Sequence, residues 1–502
     1  MRTTTTKNAM QSLLAPLMCL VLLATASQTY ADTRPNVLLA IADDWSFPYA
    51  SAYGSRIVKT PAFDRVAREG ILFRNAFTAT PGCSPSRAAL LTGQHSWRLK
   101  EAGTHASSFP KDFAVYPDLL EKAGYFVGCC GKAWGPGNYN ISGWPRNPAG
   151  PAFNVRLESP ATGIGNTDYA ASFEAFLKKR PKDQPFCFWC GCTEPHRAYA
   201  KGSGLAAGKK LEDVQVPPFL PDAPEIQSDL LDYAVEIEHF DAHLGKMLTA
   251  LEKAGELDST LVIVCSDNGM PFPRAKANLY EHGTHMPLAI RWPASINRGR
   301  TVADFASQVD LAPTILAAAG VAIPEAMTGR NLLPVLKRDS SRDQEVLTDH
   351  VFLARERHSS SRPRNLGYPS RAIRTADYLY IRNFKPDLWP AGDPTTANGQ
   401  SAYHDIDGGP TKSLLVTGAS DPKLRKFLDL AVAKRPAEEL FFLKDDPATI
   451  KNVVGDPAHA AAKAKLRAQL EMFLTNTGDA RMTDTGDVWE TYPRYGEIRE
   501  FR

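Results

Sequence analysis

The sequence predicts an α/β protein: a large domain built on a doubly wound, mostly parallel sheet, followed by a smaller C-terminal α+β domain. Three observations carry this reading. Short, continuous apolar runs recur along the chain, as strands covered on both faces require. Helical segments fall between them. Each run stops in a polar cluster, and in open sheets of this kind the ligand lies beyond the carboxyl ends of the strands.

Taken in order, Asn36-Val37-Leu38-Leu39-Ala40-Ile41-Ala42 is the first apolar run, and it ends in Asp43-Asp44. Thr60-Pro61 then opens a helix that Gly70 closes. Gly124 to Gly131 is a second strand unit leading to Lys132, and Phe186 to Cys192 is a third leading to Thr193-Glu194-Pro195-His196-Arg197. Thr260 to Cys265 is a fourth, leading to Ser266-Asp267-Asn268-Gly269. Helices are expected from Thr167 to Lys179 and from about Glu225 to Ala254, where Gly255 stops the second. Gly/Pro-rich insertions at Trp134 to Pro151 and around Lys201 to Pro224 are expected to rim the site. The Ser/Arg/Pro stretch from Ser359 to Arg364 marks a boundary, giving domains over 32–365 and 366–502. In the second, Ala376 to Arg382 alternates like a strand and Pro457 to Leu474 reads as a terminal helix. No internal repeat is present.

At 502 residues the chain is too long for one small core, so a large domain with a smaller partner is the natural expectation. The formal charge is only +3, which excludes a general basic surface for gripping nucleic acid; any anion recognition has to be local. Residues 1–31 read as a secretory signal, with a basic start, an apolar run from Leu13 to Ala26 and a small-residue cleavage site at Thr29-Tyr30-Ala31. Mature protein is then expected to begin near Asp32, in a secreted or periplasmic location, with no membrane-spanning anchor. Bulky Met18 argues against a lipid anchor at Cys19. An oxidising compartment permits disulfides among Cys129, Cys130, Cys187, Cys190, Cys192 and Cys265, in a pairing that spacing does not reveal. Cys187-Phe-Trp-Cys190-Gly-Cys192 reads as a buried strand and not as a zinc site, because no second Cys or His cluster follows at zinc-like spacing.

The stretch Thr80-Pro81-Gly82-Cys83-Ser84-Pro85-Ser86-Arg87-Ala88-Ala89-Leu90-Leu91-Thr92-Gly93 places a cysteine directly before a helix start. Ser84 is an apt N-cap, Pro85 suits the first helical position, and Ala88 to Leu91 favour continuation. Cys83 is thereby expected at the positive end of a helix with Arg87 one turn in, an anion site containing a reactive sulfur. Asp43, Asp44, Asp267 and Asn268 add hard oxygen ligands from two strand ends, a set that suits Ca²⁺ or Mg²⁺. Carboxylates gathered in this way repel, and a cation resolves the conflict.

The pattern Cys-x-Pro-x-Arg running into Ala-Ala-Leu-Leu-Thr-Gly closely resembles the signature of the type I sulfatases, in which this cysteine is oxidised after translation to formylglycine (3-oxoalanine). The resemblance spans nearly the whole mature chain and implies an alkaline-phosphatase-like fold, with a sulfatase catalytic domain over 32–365. It implies that Asp43, Asp44, Asp267, Asn268 and modified Cys83 hold one divalent ion, usually calcium, and that a formylglycine-generating enzyme matures the chain. One hydroxyl of the aldehyde hydrate attacks sulfur; the other then expels sulfate and restores the aldehyde. By the same resemblance Arg87 orients the Cys83-derived group, Lys132 and Lys276 clamp sulfate oxygens, and His196 is the general acid for the leaving atom.

One departure stands out. Many sulfatases place a histidine two residues after the Gly-Lys lysine, against the formylglycine, whereas here Gly131-Lys132-Ala133 is followed by Trp134. On the leaving-group side, Glu194 to Arg197, Arg355-Glu356-Arg357-His358 and Asp405 to Lys412 look most like the heparan N-sulfatase (sulfamidase) branch and its bacterial carbohydrate-sulfatase relatives. Arg197, His358 and His285 are the candidates for contact with a sulfated saccharide, with His282 a weaker one. His239 and His243, four apart on the long helix, lack a third zinc ligand. The expected activity is hydrolysis of sulfate esters or N-sulfate groups. The alternatives are a phosphomonoester or phosphonate ester hydrolase of the same fold, and a catalytically silent protein that binds sulfated glycans.

Overall fold

Seven residues from Asn36 to Ala42 form β1, and all are buried because the strand has a neighbour on either side and helices over both faces. The remaining strands of its sheet are β2 (Ile71–Phe77), β3 (Phe126–Gly131), β4 (Phe186–Gly191), β5 (Thr260–Ser266), β6 (Leu288–Arg291) and β7 (Arg300–Ser307). Their spatial order is β3-β4-β1-β5-β6-β2-β7, parallel except where β6 runs against β5 and β2. This computed structural model describes residues 34–339, 346–397, 399 and 403–501. The signal segment expected over 1–31, with Cys19, and the mature start at Asp32 lie outside the described residues.

Alternation along β1 splits the interior into two layers. Leu38, Ala40 and Ala42 face a core filled by Ile226, Leu230, Ile237 and Leu244 of the long helix Pro224–Lys253. Val37, Leu39 and Ile41 face the opposite core, where Ala88 to Leu91 of the helix Cys83–Thr92 lie. Each large apolar side chain so buried contributes roughly 1.5–3 kcal/mol. The site follows from the topology: β3, β4, β1 and β5 are adjacent and parallel, so Lys132, His196, Asp43 and Asp267 all leave the sheet at one edge.

A second, antiparallel sheet has the order β11-β10-β9-β8, from β8 (His350–Arg355), β9 (Ser370–Thr375), β10 (Tyr378–Asn383) and β11 (Glu438–Phe442). The helix Ala460–Asn476 covers it with Leu466, Leu470 and Leu474, against Phe352, Ile373, Tyr380 and Leu440. The expected boundary at 365 needs correction. The small sheet already begins with β8, and Ser359 to Arg364 is no exposed linker: Ser360, Ser361 and Arg362 are fully buried, with Arg362 bonded to Asp405 and to the carbonyls of Trp389 and Pro390. The insertion near Lys201 also departs from expectation. It is tied to the long helix, where Asp232 accepts from the Gly202 and Gly204 amides.

All seven described cysteines are free and buried, and Cys187 and Cys190 lie within β4 as the buried-strand reading expects. Among the described residues no helix is long and apolar enough to cross a membrane.

Candidate active site at the strand ends

The Cys83 helix begins two residues earlier than the sequence suggests. Gly82 is the cap, in extended conformation, and Cys83 is the first helical residue. Ser84 is not the cap because its hydroxyl accepts the Ala106 amide instead, at 3.0 Å. Every residue of this helix is buried. Burial pushes the Cys83 thiol up to about 12, with Lys132 opposing the rise, so desolvation outweighs the helix dipole and the thiol itself is not primed to ionise. That corrects the expectation of a reactive sulfur.

Around Cys83 the strand ends gather carboxylates. Asp43, Asp44 and Asp267 each offer an oxygen within 4.8 Å of the others, and all are fully buried. Asp44 takes a left-handed conformation (φ 73°), turning its amide onto Asp267 Oδ1 at 3.1 Å. Cations stand opposite. Arg87 Nε donates to Asp267 Oδ2 at 2.8 Å, Lys132 pairs with Asp43, and Lys276 Nζ reaches both Asp44 oxygens at 2.6 Å. Burial alone would raise Asp43, but Lys132 holds it below the ordinary carboxylate value. Asp267 is raised by burial and by the neighbouring Asp43 charge.

Two of the strand-end ligands keep a buried acceptor without a hydrogen bond, Asp43 Oδ1 and Asn268 Oδ1. An orphaned buried polar atom costs about 1–3 kcal/mol. Side by side among carboxylates, these two have the donor chemistry of a hard-cation site, so the residues present fit a calcium or magnesium ion.

His196 completes the cluster. Its Nδ1 lies 2.7 Å from the Arg197 carbonyl, which can only accept, so Nδ1 carries the hydrogen and Nε2 faces inward, 3.9 Å from Asp44 Oδ2. Asp43, Cys83 and His196 present ligand atoms within 4.8 Å of one another. A cavity of about 580 Å³ opens over them, lined by Cys83, His105, Lys132, Trp134, Asn154 and His196. Trp134, Gly135 and Pro136 of the expected rim form part of its wall.

Three expected substrate contacts are engaged in packing. Arg197 is bidentate to Asp229 at 2.7 Å, sandwiched by Tyr199 and Phe272, and fastens its loop to the long helix. His285 bonds the Arg74 carbonyl and Glu281 while stacked between Phe47 and Phe77. His282 packs on Phe219, lowered to about 4 by burial. His358 is brought close, but to His105, at 4.5 Å between ring centroids. His239 and His243 face Tyr169 and Asp168 on the far side of the long helix.

Two residues of the site were missed. His105 Nε2 lies 3.8 Å from Cys83 Sγ. Asp407 Oδ2 lies 3.2 Å from Lys276 Nζ, and Asp44, His196 and Asp407 form a further close group. The motif from Asp405 to Lys412 was a usable signal for Asp407; Gly103-Thr104-His105 carries none.

Comparisons with known proteins bear on this geometry. The family model described as Sulfatase matches residues 35–321. The model described as N-sulphoglucosamine sulphohydrolase, C-terminal, matches residues 274–395. Human N-sulphoglucosamine sulphohydrolase is 31% identical, over 89% of this chain and 91% of its own. An ulvan-active sulfatase of Formosa agariphila is 25% identical, over 90% of this chain and 77% of its own. A solved structure in complex with its substrate D-glucosamine-2-N,6-O-disulfate shares the fold with TM-score 0.65 at 21% identity, covering 90% of this chain and 99% of that one. The phosphonate monoester hydrolase of Agrobacterium radiobacter has TM-score 0.61 at 18% identity, covering 89% and 97%. The shared architecture is the alkaline-phosphatase-like one.

Proposed function

The chain belongs to the sulfatase family, and from that premise we propose that it hydrolyses sulfate groups of sulfated saccharides, with N-sulfated glucosamine as the leading substrate, through a formylglycine made from Cys83 beside one calcium or magnesium ion. The observation that carries this reading is the pair of orphaned buried acceptors, Asp43 Oδ1 and Asn268 Oδ1, among three carboxylates at the mouth that also holds Cys83 and His196. The preference for N-sulfate rests on the C-terminal family match and the human relative.

When bound, the ion and the aldehyde hydrate supply a hydroxyl nucleophile active at neutral pH. The chain's own groups do the rest. Asp43, Asp44, Asp267 and Asn268 hold the ion. Arg87 fixes Asp267 and, through the Lys132 and Ala133 carbonyls, the loop that follows β3. Lys132, which lines the cavity, and buried Lys276 pair with the carboxylates and would share their charge with sulfate oxygens. His196, anchored through Nδ1, presents Nε2 and, as the imidazolium carrying a second hydrogen there, delivers that proton to the departing nitrogen or oxygen. Maturation would then require a formylglycine-generating enzyme, and the signal read from residues 1–31 supports a location outside the cytoplasm.

Mass spectrometry of the peptide containing residue 83, with turnover measured on glucosamine N-sulfate and on O-sulfated saccharides, tests the reading. An aldehyde mass together with N-sulfate turnover that Cys83→Ala abolishes supports it. Protein carrying the aldehyde that hydrolyses no sulfated saccharide overturns it, and preferred turnover of an aryl phosphate would favour the phosphoester alternative instead.

A further inference from the structure

The place where many sulfatases hold a histidine is occupied here by Trp134. Its indole is buried, donates Nε1–H to the Ser84 carbonyl at 3.1 Å and packs edge-on against Phe109. An indole accepts no proton. The carboxylates nearest Cys83 are already engaged, Asp43 by Lys132 and Asp267 by Arg87. A different group faces the sulfur: His105, with Nε2 3.8 Å from Cys83 Sγ across the same cavity.

The chain holds this imidazole firmly. The His105 amide donates to the Arg357 carbonyl at 3.1 Å, and Arg494 donates to the His105 carbonyl at 3.3 Å. Ala106 follows in a left-handed conformation (φ 56°) and ties its amide to Ser84 in the first turn of the Cys83 helix. A non-glycine residue persists in that conformation only where the surroundings enforce it. Behind the ring lies His358, and neither His105 Nδ1 nor either nitrogen of His358 has a hydrogen-bond partner although all are buried.

Resting on the sulfatase reading above, we propose that His105 is a catalytic residue: its Nε2 takes the second proton of the group derived from Cys83, the role for which the position of Trp134 offers no base. In that step the proton moves from the free hydroxyl to Nε2, and the O–H electron pair becomes the new C=O π bond. The carbon–oxygen bond to sulfate breaks with its pair leaving on sulfate, and the imidazolium then returns its proton to water. His358 is a positioning residue that packs against the ring, 4.5 Å away between centroids.

The test uses the full-length enzyme with residue 83 shown by mass to be converted, alongside His105→Ala and His105→Gln, mixed with an aryl sulfate. Both variants are expected to release about one phenol per enzyme and then to turn over about a hundredfold to ten-thousandfold more slowly. The residue-83 peptide should retain the mass of one sulfuryl group, and added imidazole should restore release in His105→Ala. Wild-type turnover in the converted variants overturns the proposal, as does loss of the burst and of the retained mass together. Failure of the functional reading looks different: wild-type protein then lacks the aldehyde or leaves every sulfate intact.

Discussion

Two clusters of buried charge are built from the same residue types and behave in opposite ways. Behind the small sheet, Arg371 is bidentate to Asp479 and also reaches Glu356, which Arg481 engages on both oxygens. Every acidic oxygen in that group has a donor. At the strand ends Asp43, Asp44 and Asp267 meet Arg87, Lys132 and Lys276, yet Asp43 Oδ1 and neighbouring Asn268 Oδ1 have none. A closed network pins elements together, whereas one with spare acceptors is complementary to something that arrives later. Glu236 is a third case, with one orphaned oxygen and no cation in contact; burial and the nearby Glu194 and Asp232 push it up to about 9, so it keeps its proton.

This contrast can be attacked at decreasing scale. Cys83→Ala should bring sulfate release to background in a continuous aryl sulfate assay while changing unfolding free energy by about 1 kcal/mol; residual turnover would break the assignment of the open cluster to chemistry. In the closed cluster the effects should invert. Arg371→Ala strands Asp479 and should cost roughly 3–5 kcal/mol in urea unfolding, with kcat/KM of the folded protein unchanged.

Calcium at a hundredfold excess over Kd should stabilise the protein by about 2.7 kcal/mol, reversibly on chelation, and Asp43→Ala should erase that gain. Equal stabilisation of the variant would detach the ion from the open cluster. The last test concerns Glu236. Its folded value lies above its unfolded one, so its stabilising contribution is whole below about 4.5 and is lost as pH rises toward about 9. Glu236→Gln should therefore flatten that decline in thermal melts, the variant overtaking wild type as the pH rises.

Much of this was legible in the chain. β1, β3, β4 and β5 announce themselves because strands buried on both faces have to be apolar throughout, and because a polar residue is affordable only where the strand ends. β2 is interrupted by Arg74-Asn75 at a register shift, and β6 has only four residues, so neither gives a clean period. The partners of the site residues were less legible, for one reason. Whether Arg197 or His285 is available to a substrate depends on Asp229 and Glu281 lying opposite, which is a property of packing. His105 is found only once the loop from Thr104 to Ala106 is seen folded back on the Cys83 helix.

One consequence of that wholly interior helix concerns timing. Cys83 is 2% exposed and belongs to a helix whose every residue is buried, although its side chain lines the cavity. A second enzyme that has to draw this side chain into its own cleft could reach it only before the helix is packed. On the reading proposed above, oxidation of Cys83 then competes with folding, and each copy has one opportunity. The fraction of working molecules would follow from those two rates, with a copy that closes around an unaltered thiol left inert.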